Sequence, residues 1–521
     1  MKHITSLLIG LLVLTAVSTA QPVKSDFGVD QKVKLENGEA YQKMVGADDT
    51  GFYVLKTDYD NNIWLEFWNA DNLVKESYNR LILPSVGGVQ AEFLEMFYID
   101  GKLIMFTTVT NESIKQKTLY AQHVNKAGKI IGESKPIGRL TNQNIVVDFE
   151  VDLTANEKLM FVHYYRPFQK YNEEPIFFKM YDSSLDEVMN KTIKLPLVDR
   201  EFEIIQYIVM ENNDILMLSK MQPVEERRSR RRGPEVFEYS VLVYDVEMSL
   251  VQNYPINVEK FIPQNAMIGV NETDKFIDVM GFMAKKNKTE YSGVFHERFD
   301  LKTKEWAPID RKTTYYNIER DEERDFRATH LMEDRDNLYN YQLRNMVYLS
   351  TGEPVLIAEH YNEWIDSIVD PRTKEVTFNS YYKYNDLLVA KVDRNNNFEW
   401  MTRIPKSQSS YNDFGDYSSF GMTVLGEKIK LYYNGNHKNL KMLANDMYNS
   451  QDLKEAKSPG RRGRALSITV FSDGKVFGSY MFEGKHKKQI VKPELMAVHK
   501  GKHFIYTKKG SNLKFARFFV E

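Results

Sequence analysis

LLVAKVDRNNNFEWMTRIP, residues 387–405, decides how the chain is built. Leu387, Val389, Lys391 and Asp393 alternate with Leu388, Ala390 and Val392, which is the period of a pleated strand. Arg394, Asn395, Asn396 and Asn397 then supply turn residues, and Phe398 to Ile404 returns with large apolar residues at every other position. The stretch is a β-hairpin. Degraded copies of it recur along the chain, at a spacing of ~45 to 60 residues, with four short strands per unit.

Working outward, the units run from about 42 to 83, 92 to 137, 145 to 196, 202 to 258 and 267 to 309. A sixth resumes near Asn345 and ends with the quoted hairpin, and a seventh spans about 421 to 482. The end of the chain, 495–520, offers three strands and no fourth. Asp100 and Gly101 mark one tight hairpin turn clearly. The expected fold is all-β: a β-propeller of seven or eight four-stranded blades. Its ring would close by pairing an N-terminal strand with the C-terminal ones, which removes the free edge. Lys32 to Glu36 is the expected closing strand. Two consecutive β-sandwiches are the competing architecture.

Bulk composition agrees with one large repeat domain. Hydrophobic residues make up 42% and aromatics 13%, and 31 Tyr with 30 Phe suit half-buried pleated surfaces. The 70 basic residues nearly balance 72 acidic ones, so nothing demands a nucleic-acid partner. Met1, Lys2 and His3 precede an apolar run from Ile4 to Val17 and the small residues Ser18, Thr19 and Ala20, the layout of a secretory signal cleaved before Gln21. That divides the chain into a signal peptide, 1–20, and one propeller domain, 21–521. No later run approaches the ~20 apolar residues of a membrane helix. The absence of cysteine excludes disulfides, thiol catalysis and cysteine-bound metal. The expected location is periplasmic or extracellular, with no cofactor.

The segment 389–400, together with the weaker copy at 119–131, resembles the repeat of secreted bacterial β-propellers, in which a strand ends in Asp, an Asn/Gly-rich turn follows and a Trp-bearing strand returns. The Asn-, Lys- and Tyr-rich make-up is similar to that of exported proteins of the Bacteroidota. This resemblance implies fold and export and carries no catalytic residue across.

Between Ile318 and Tyr341 the alternation gives way to dense charge of both signs, which reads as a helical or irregular insertion. Two arginine clusters also interrupt units, each between its second and third strands. Arg227, Arg228, Arg230, Arg231 and Arg232 lie in a long loop at about 222–235. Arg461, Arg462 and Arg464 lie in another at about 435–464. Long second-to-third connections recur at 166–175 and at about 362–386. In a four-stranded blade all such connections leave one face of the disc, so that face is elaborated and the other kept short. Arginine forks suit carboxylate, sulfate or phosphate groups. Tyr164, Tyr165, Phe168, Tyr171, Tyr381, Tyr382, Tyr384, Tyr411, Phe414 and Tyr417 lie in or beside the same connections and suit sugar stacking or protein contacts. Solvated spacer loops are the plainer alternative.

No enzyme motif stands out. There is neither a Gly-x-Ser-x-Gly elbow nor a phosphate loop, and the ten histidines show no metal spacing. Asp58, Asp60 and Asn62, or Asp393, Asn395 and Asn397, start like a calcium loop but lack its Gly and distal Glu, so they read as hairpin turns. The expected function is a non-enzymatic binding or scaffold module for an envelope or secreted protein, or an acidic glycan. A hydrolase with its carboxylates in the central channel is the rival, since two acids from distant blades leave no local motif.

Overall fold

A computed structural model of the chain describes residues 25–27, 39–141, 148–165, 175–195, 202–221, 237–247, 249–258, 261–271, 273–285, 291–307, 315–317, 340–444, 453–510 and 512–520. The quoted hairpin forms as expected: Leu387↔Ile404 through Val392↔Phe398 pair antiparallel. Asp393 Oδ1 accepts the amides of Asn395 and Asn397, both at 2.8 Å, and Asn396 sits at φ 69°. The same five-residue turn recurs at Asp58, Asn125 and Asp182, with the left-handed position taken by Asn61, Gly128 and Leu185. The repeat seen in the sequence is thus a repeated turn geometry. Asp58 and Asp393 give their carboxylate oxygens to these turns, which is a structural use rather than a calcium site.

One expectation needs refinement. Alternation suggested a strand buried on one side, yet Leu387, Leu388, Val389 and Ala390 are all fully buried. Leu387 and Val389 pack on the seventh unit beside Ile429 and Leu431, whereas Leu388 and Ala390 pack on the fifth beside Met280 and Phe282. Blades stack face to face, so both faces of an inner strand are core.

The fold is a β-propeller of eight sheets built on antiparallel meanders. The first four occupy 40–80, 92–141, 150–194 and 202–255. The fifth is widened: Phe261–Pro263 and Met267–Asn271 both pair with Phe276–Lys285. The sixth begins at Tyr341–Tyr348, the seventh at Gly421–Leu425 and the eighth at Ile490–His499. The eighth takes its outermost strand from the other end of the chain, because Ser25–Phe27 pairs with Phe518, Arg517 and Ala516. This strand lies upstream of 32–36, the stretch expected to do so, and 32–36 is outside the described residues. Phe27 stacks on His486 at 3.7 Å, and Arg517 holds Asp26 at 2.9 Å.

Each sheet packs on the next through an apolar cluster, and the eighth packs on the first through Leu495, Phe504, Tyr506 and Phe515 against Tyr41, Phe52 and Trp68. The first strands of neighbouring sheets, such as Ala40–Ala47 and Ile490–His499, approach one another most closely and form the innermost layer.

This meander puts the first-to-second and third-to-fourth turns on one face and all other connections on the opposite face. The former are short, as at 100–101, 125–129, 349–353 and 393–397. The latter include the connection between Lys428–Gly435 and Arg464–Val470, while 166–174, 222–236 and 445–452 lie outside the described residues. Among the described residues the extension of the sixth sheet, Pro354–Val369 with Val376–Val392, leaves on that second face, which is the elaborated one. The charged insertion falls at 318–339, outside the described residues.

Candidate functional site

The sixth sheet carries the main departure from a plain blade. Its second and third strands, Pro354–Val369 and Val376–Val392, run far past their neighbours and continue as a two-stranded ribbon on the elaborated face. The sequence suggested a loop over 362–386; the pairing instead persists to Val369↔Val376, and only 370–375 turns. β-Branched and aromatic residues on both arms explain why: Ile365, Ile368, Val369, Val376, Thr377 and Phe378 favour extended backbone. Asp370 closes the tip by accepting the amides of Arg372 and Thr373.

The ribbon's base is held firmly. Gln408–Tyr411 pairs with Tyr381–Tyr384 as a third strand, and Ala456–Lys457 joins Gln408 and Ser409 in parallel. Asn412 bridges back through its Oδ1 to the Ser380 amide and through its Nδ2 to Asn379. Beneath lies a buried ionic network. Glu359 takes Lys406 at 2.7 Å and Arg344 at 2.8 Å, and Asp386 takes Arg403 at 2.5 Å and the Tyr341 hydroxyl. Burial pushes the Lys406 ammonium down, while Glu359 and Asp386 work to keep it charged. Burial likewise tends to raise Asp386, but Arg403 and Tyr341 hold it below the usual carboxylate range. Lys406 also donates to the Tyr384 carbonyl at 3.0 Å, so the network grips the ribbon's second strand by its backbone.

Beyond the base, the ribbon shows apolar residues on both faces. Cross-strand alternation places Trp364, Ile368 and Tyr381 on one side and Ile365, Val369, Val376 and Phe378 on the other. Trp364, Tyr381 and Tyr411 form a row across three strands, with ring centroids 5.3 Å and 6.0 Å apart. Ile365 is 65% exposed and Phe378 68%, and nearby Phe414 reaches 85% at φ 54°, an uncommon backbone state for a bulky residue. Of the 18 large hydrophobic side chains exposed among the described residues, eight lie between 364 and 414. The exposed apolar surface is therefore concentrated here.

The residues singled out from sequence fare unevenly. Arg227, Arg228, Arg230, Arg231 and Arg232 lie outside the described residues. Arg461 and Arg462 belong to the helical turn Pro459–Arg462; Arg462 is exposed, and the Arg461 side chain is not among those described. Arg464 donates from Nη1 to the carbonyls of Arg462 and Gly463, so it folds its own loop rather than presenting a free fork. Tyr165 ends the strand Met160–Tyr165, with its side chain outside the described set. Tyr382 is 6% exposed, whereas Trp364, Tyr411 and Phe414 carry the exposed aromatic surface. Trp364 and the aliphatic residues beside it were missed because a loop was assumed where β-propensity runs on.

The innermost strands expose Glu92, Glu150, Asp152, Glu203 and Glu494. Burial, with Asp152 two residues away, raises Glu150. Burial also depresses His163 to about 4, so its contact with Glu150 at 3.3 Å joins a neutral imidazole to a carboxyl group. Elsewhere, Asp278 accepts from Arg298 at 2.7 Å and Tyr348 at 2.9 Å and contacts His296 at 2.7 Å, inside the fifth blade. Among the described residues no group of three or more His, Asp or Glu has the arrangement of a metal site, and no helix is long and apolar enough to cross a membrane.

No protein-family model and no curated protein matches this sequence. Similar solved structures include the β-propeller domain of the Trilobed protease from Pyrococcus furiosus, at 10% identity over 86% of this chain and 97% of that one, with a TM-score of 0.35. The WD40 domain of SCAP from fission yeast aligns at 10% identity over 96% and 98%, with a TM-score of 0.33. The endo-arabinase from Bacteroides thetaiotaomicron aligns at 13% identity over 50% and 97%, with a TM-score of 0.23. Likeness at this level concerns shape alone.

Proposed function

We propose that the protein is an exported, non-enzymatic binding module that docks on a partner protein of the envelope or the extracellular space through the ribbon at 362–383. The observation that supports this is the exposed apolar surface on both ribbon faces, held at its base by a buried ionic network. Contiguous exposed apolar patches mark interaction sites, and rigid aromatic anchors dominate binding energy there. A protein surface fits better than an acidic glycan. Ile365, Ile368, Val369 and Val376 are branched aliphatics, which bury well against apolar side chains and offer a sugar no flat face to stack on. A rigid base also lowers the ordering cost of association.

The test is site-specific photocrosslinking. A benzophenone amino acid at position 378 should crosslink one discrete partner in the native envelope, and the same probe at Lys500, on the short-turn face, should not. The variant Ile365→Ser with Phe378→Ser should lose that partner while melting like the parent protein. Equal crosslinking from both positions, or undiminished capture by the variant, refutes the proposal. Glu150→Gln with Asp152→Asn serves as the control for channel chemistry, and partner capture should survive it.

A further inference from the structure

We propose that the ribbon's first strand receives an extended segment of the partner as an added β-strand, and that this segment sets two basic residues, three positions apart, among apolar ones. This rests on the docking role given to the ribbon above and specifies the chemistry of its partner. On one side, 362–369 pairs residue by residue with 376–383. On the other side the neighbouring strand Tyr341–Tyr348 stops at Tyr341↔His360, and among the described residues no strand continues beside the ribbon.

The direction of the free backbone groups can be worked out. Tyr361 donates its amide to the Asn340 carbonyl at 3.0 Å, on the open side. Successive residues of an antiparallel strand point their amides and carbonyls to alternate sides. Glu363, Ile365, Ser367 and Val369 therefore direct theirs to the open side, whereas Asn362, Trp364, Asp366 and Ile368 serve the ladder with the second strand. Natural sheet edges are blunted by proline, lysine, bulges or short length. The stretch 362–369 has no Pro, Gly or Lys, and its register is unbroken beyond Tyr361. An edge of this kind, apolar on both faces, suits strand addition, in which main-chain bonds give affinity and alternate side chains give specificity.

Charge selects the occupant. Residues 362–370 hold Glu363, Asp366 and Asp370 and neither Lys nor Arg. A second copy laid antiparallel on the same edge would bring together two acidic stretches, each with Glu363, Asp366 and Asp370 and no basic residue. The chain's own segment 318–339 carries eight acidic and four basic residues, a net charge of −4, and is equally ill matched. A strand with basic residues opposite Glu363 and Asp366, and apolar residues opposite Trp364, Ile365, Ile368 and Val369, complements both features.

The probe is a fluorescein-labelled peptide with the core Val-Val-Thr-Lys-Ile-Tyr-Lys between Gly-Ser flanks, titrated into the full mature protein and followed by anisotropy. Ser367→Pro removes one outward amide and no ladder bond, and proline is tolerated at such edge positions. It should weaken binding by about tenfold or more, the equivalent of one main-chain hydrogen bond. Ser367→Ala should stay within about twofold, the range expected of an exposed side chain outside the contact. Replacing both peptide lysines by Glu should weaken binding by about tenfold, more so at low salt. Absence of peptide binding by the parent protein, or equal binding by Ser367→Pro, overturns the proposal.

Two further outcomes also overturn it. One is a parent dimer that Ser367→Pro dissociates, which assigns the edge to a second copy. The other is slow amide exchange at Ile365 and Ser367 that deletion of 318–339 accelerates, which assigns the edge to this chain. If crosslinking at 378 persists while Ser367→Pro has no effect, docking stands and strand addition falls. If Ile365→Ser with Phe378→Ser also leaves partner capture intact, docking itself falls.

Discussion

Glu297→Gln should make the protein more stable, by an amount set by pH. Glu297 lies in the strand Gly293–Asp300 between Phe295 and Phe299, which pack into the core joining the fourth and fifth sheets. Its side chain is buried, and its Oε1 has no hydrogen-bond partner among the described residues. Burial raises its pKa from the ordinary 4.5 to about 8, outweighing a hydrogen bond from the Asn257 backbone. The folded state therefore holds the acid protonated at neutral pH, whereas the unfolded chain releases the proton. An acid raised in this way leaves stability intact below the unfolded pKa and costs stability as pH climbs toward the folded one.

One pKa unit corresponds to about 1.4 kcal/mol, so the cost is close to zero at pH 4, about 3 kcal/mol at pH 7 and about 4.5 kcal/mol at pH 9. Glutamine keeps the shape and has no proton to lose. Urea unfolding of parent and variant at those three pH values measures the difference directly. The gap should open in that order, with the variant more stable. A gap that is constant across pH, or one that favours the parent at pH 9, refutes the account of Glu297 as a buried neutral acid.

His163 titrates in the opposite direction: depressed to about 4 by burial, it stays neutral in the folded state while the unfolded imidazole charges below its ordinary 6.5. Stability should fall by about 3 kcal/mol as pH drops from above 6.5 to 4, and His163→Phe should flatten that limb of the unfolding curve. Asp278→Ala leaves His296 and Arg298 buried without their shared carboxylate and should cost about 3 to 5 kcal/mol in chemical denaturation. Removing 21–27 deletes the strand that pairs with Asn512–Phe519 and exposes Phe518, so the truncated protein should melt at a lower temperature and exchange the amides of 512–519 faster. On the ribbon, Ile368→Ser should shift the unfolding free energy by no more than about 0.5 kcal/mol, since that side chain already faces water.

The fold was legible because turns repeat where strands vary. Asp58, Asn125, Asp182 and Asp393 each open the same five-residue turn, and those side chains are visible in a bare sequence. What the sequence could not give was which faces are core. Alternation in 387–392 predicts one buried side, but propeller blades bury both, and only the contacts of Leu388 with the fifth sheet and Leu387 with the seventh show it. The strand that completes the eighth sheet was foreseen as a need and misplaced by several residues. Ser25, Asp26 and Phe27 are too few to show a period, and their claim rests on partners almost five hundred residues away.

The ribbon was harder to read for a physical reason. In a core strand, apolar residues appear at alternate positions or on both sides of a shared interior, and nothing in 354–369 marks the point where interior ends and solvent begins. Glu359 is buried and ion-paired, whereas Ile365 is exposed, the reverse of what their polarity suggests. Polarity inverts here because the blade keeps its charges inside, as a clamp of Glu359, Lys406, Arg344, Asp386 and Arg403, and sends its hydrophobic residues outward along the extension. A stretch that breaks the inside-outside rule in both directions within a few residues offers its exposed apolar side chains no gain in burial from folding alone. Burial of Trp364, Ile365, Ile368 and Phe378 requires a surface that this chain does not supply among its described residues.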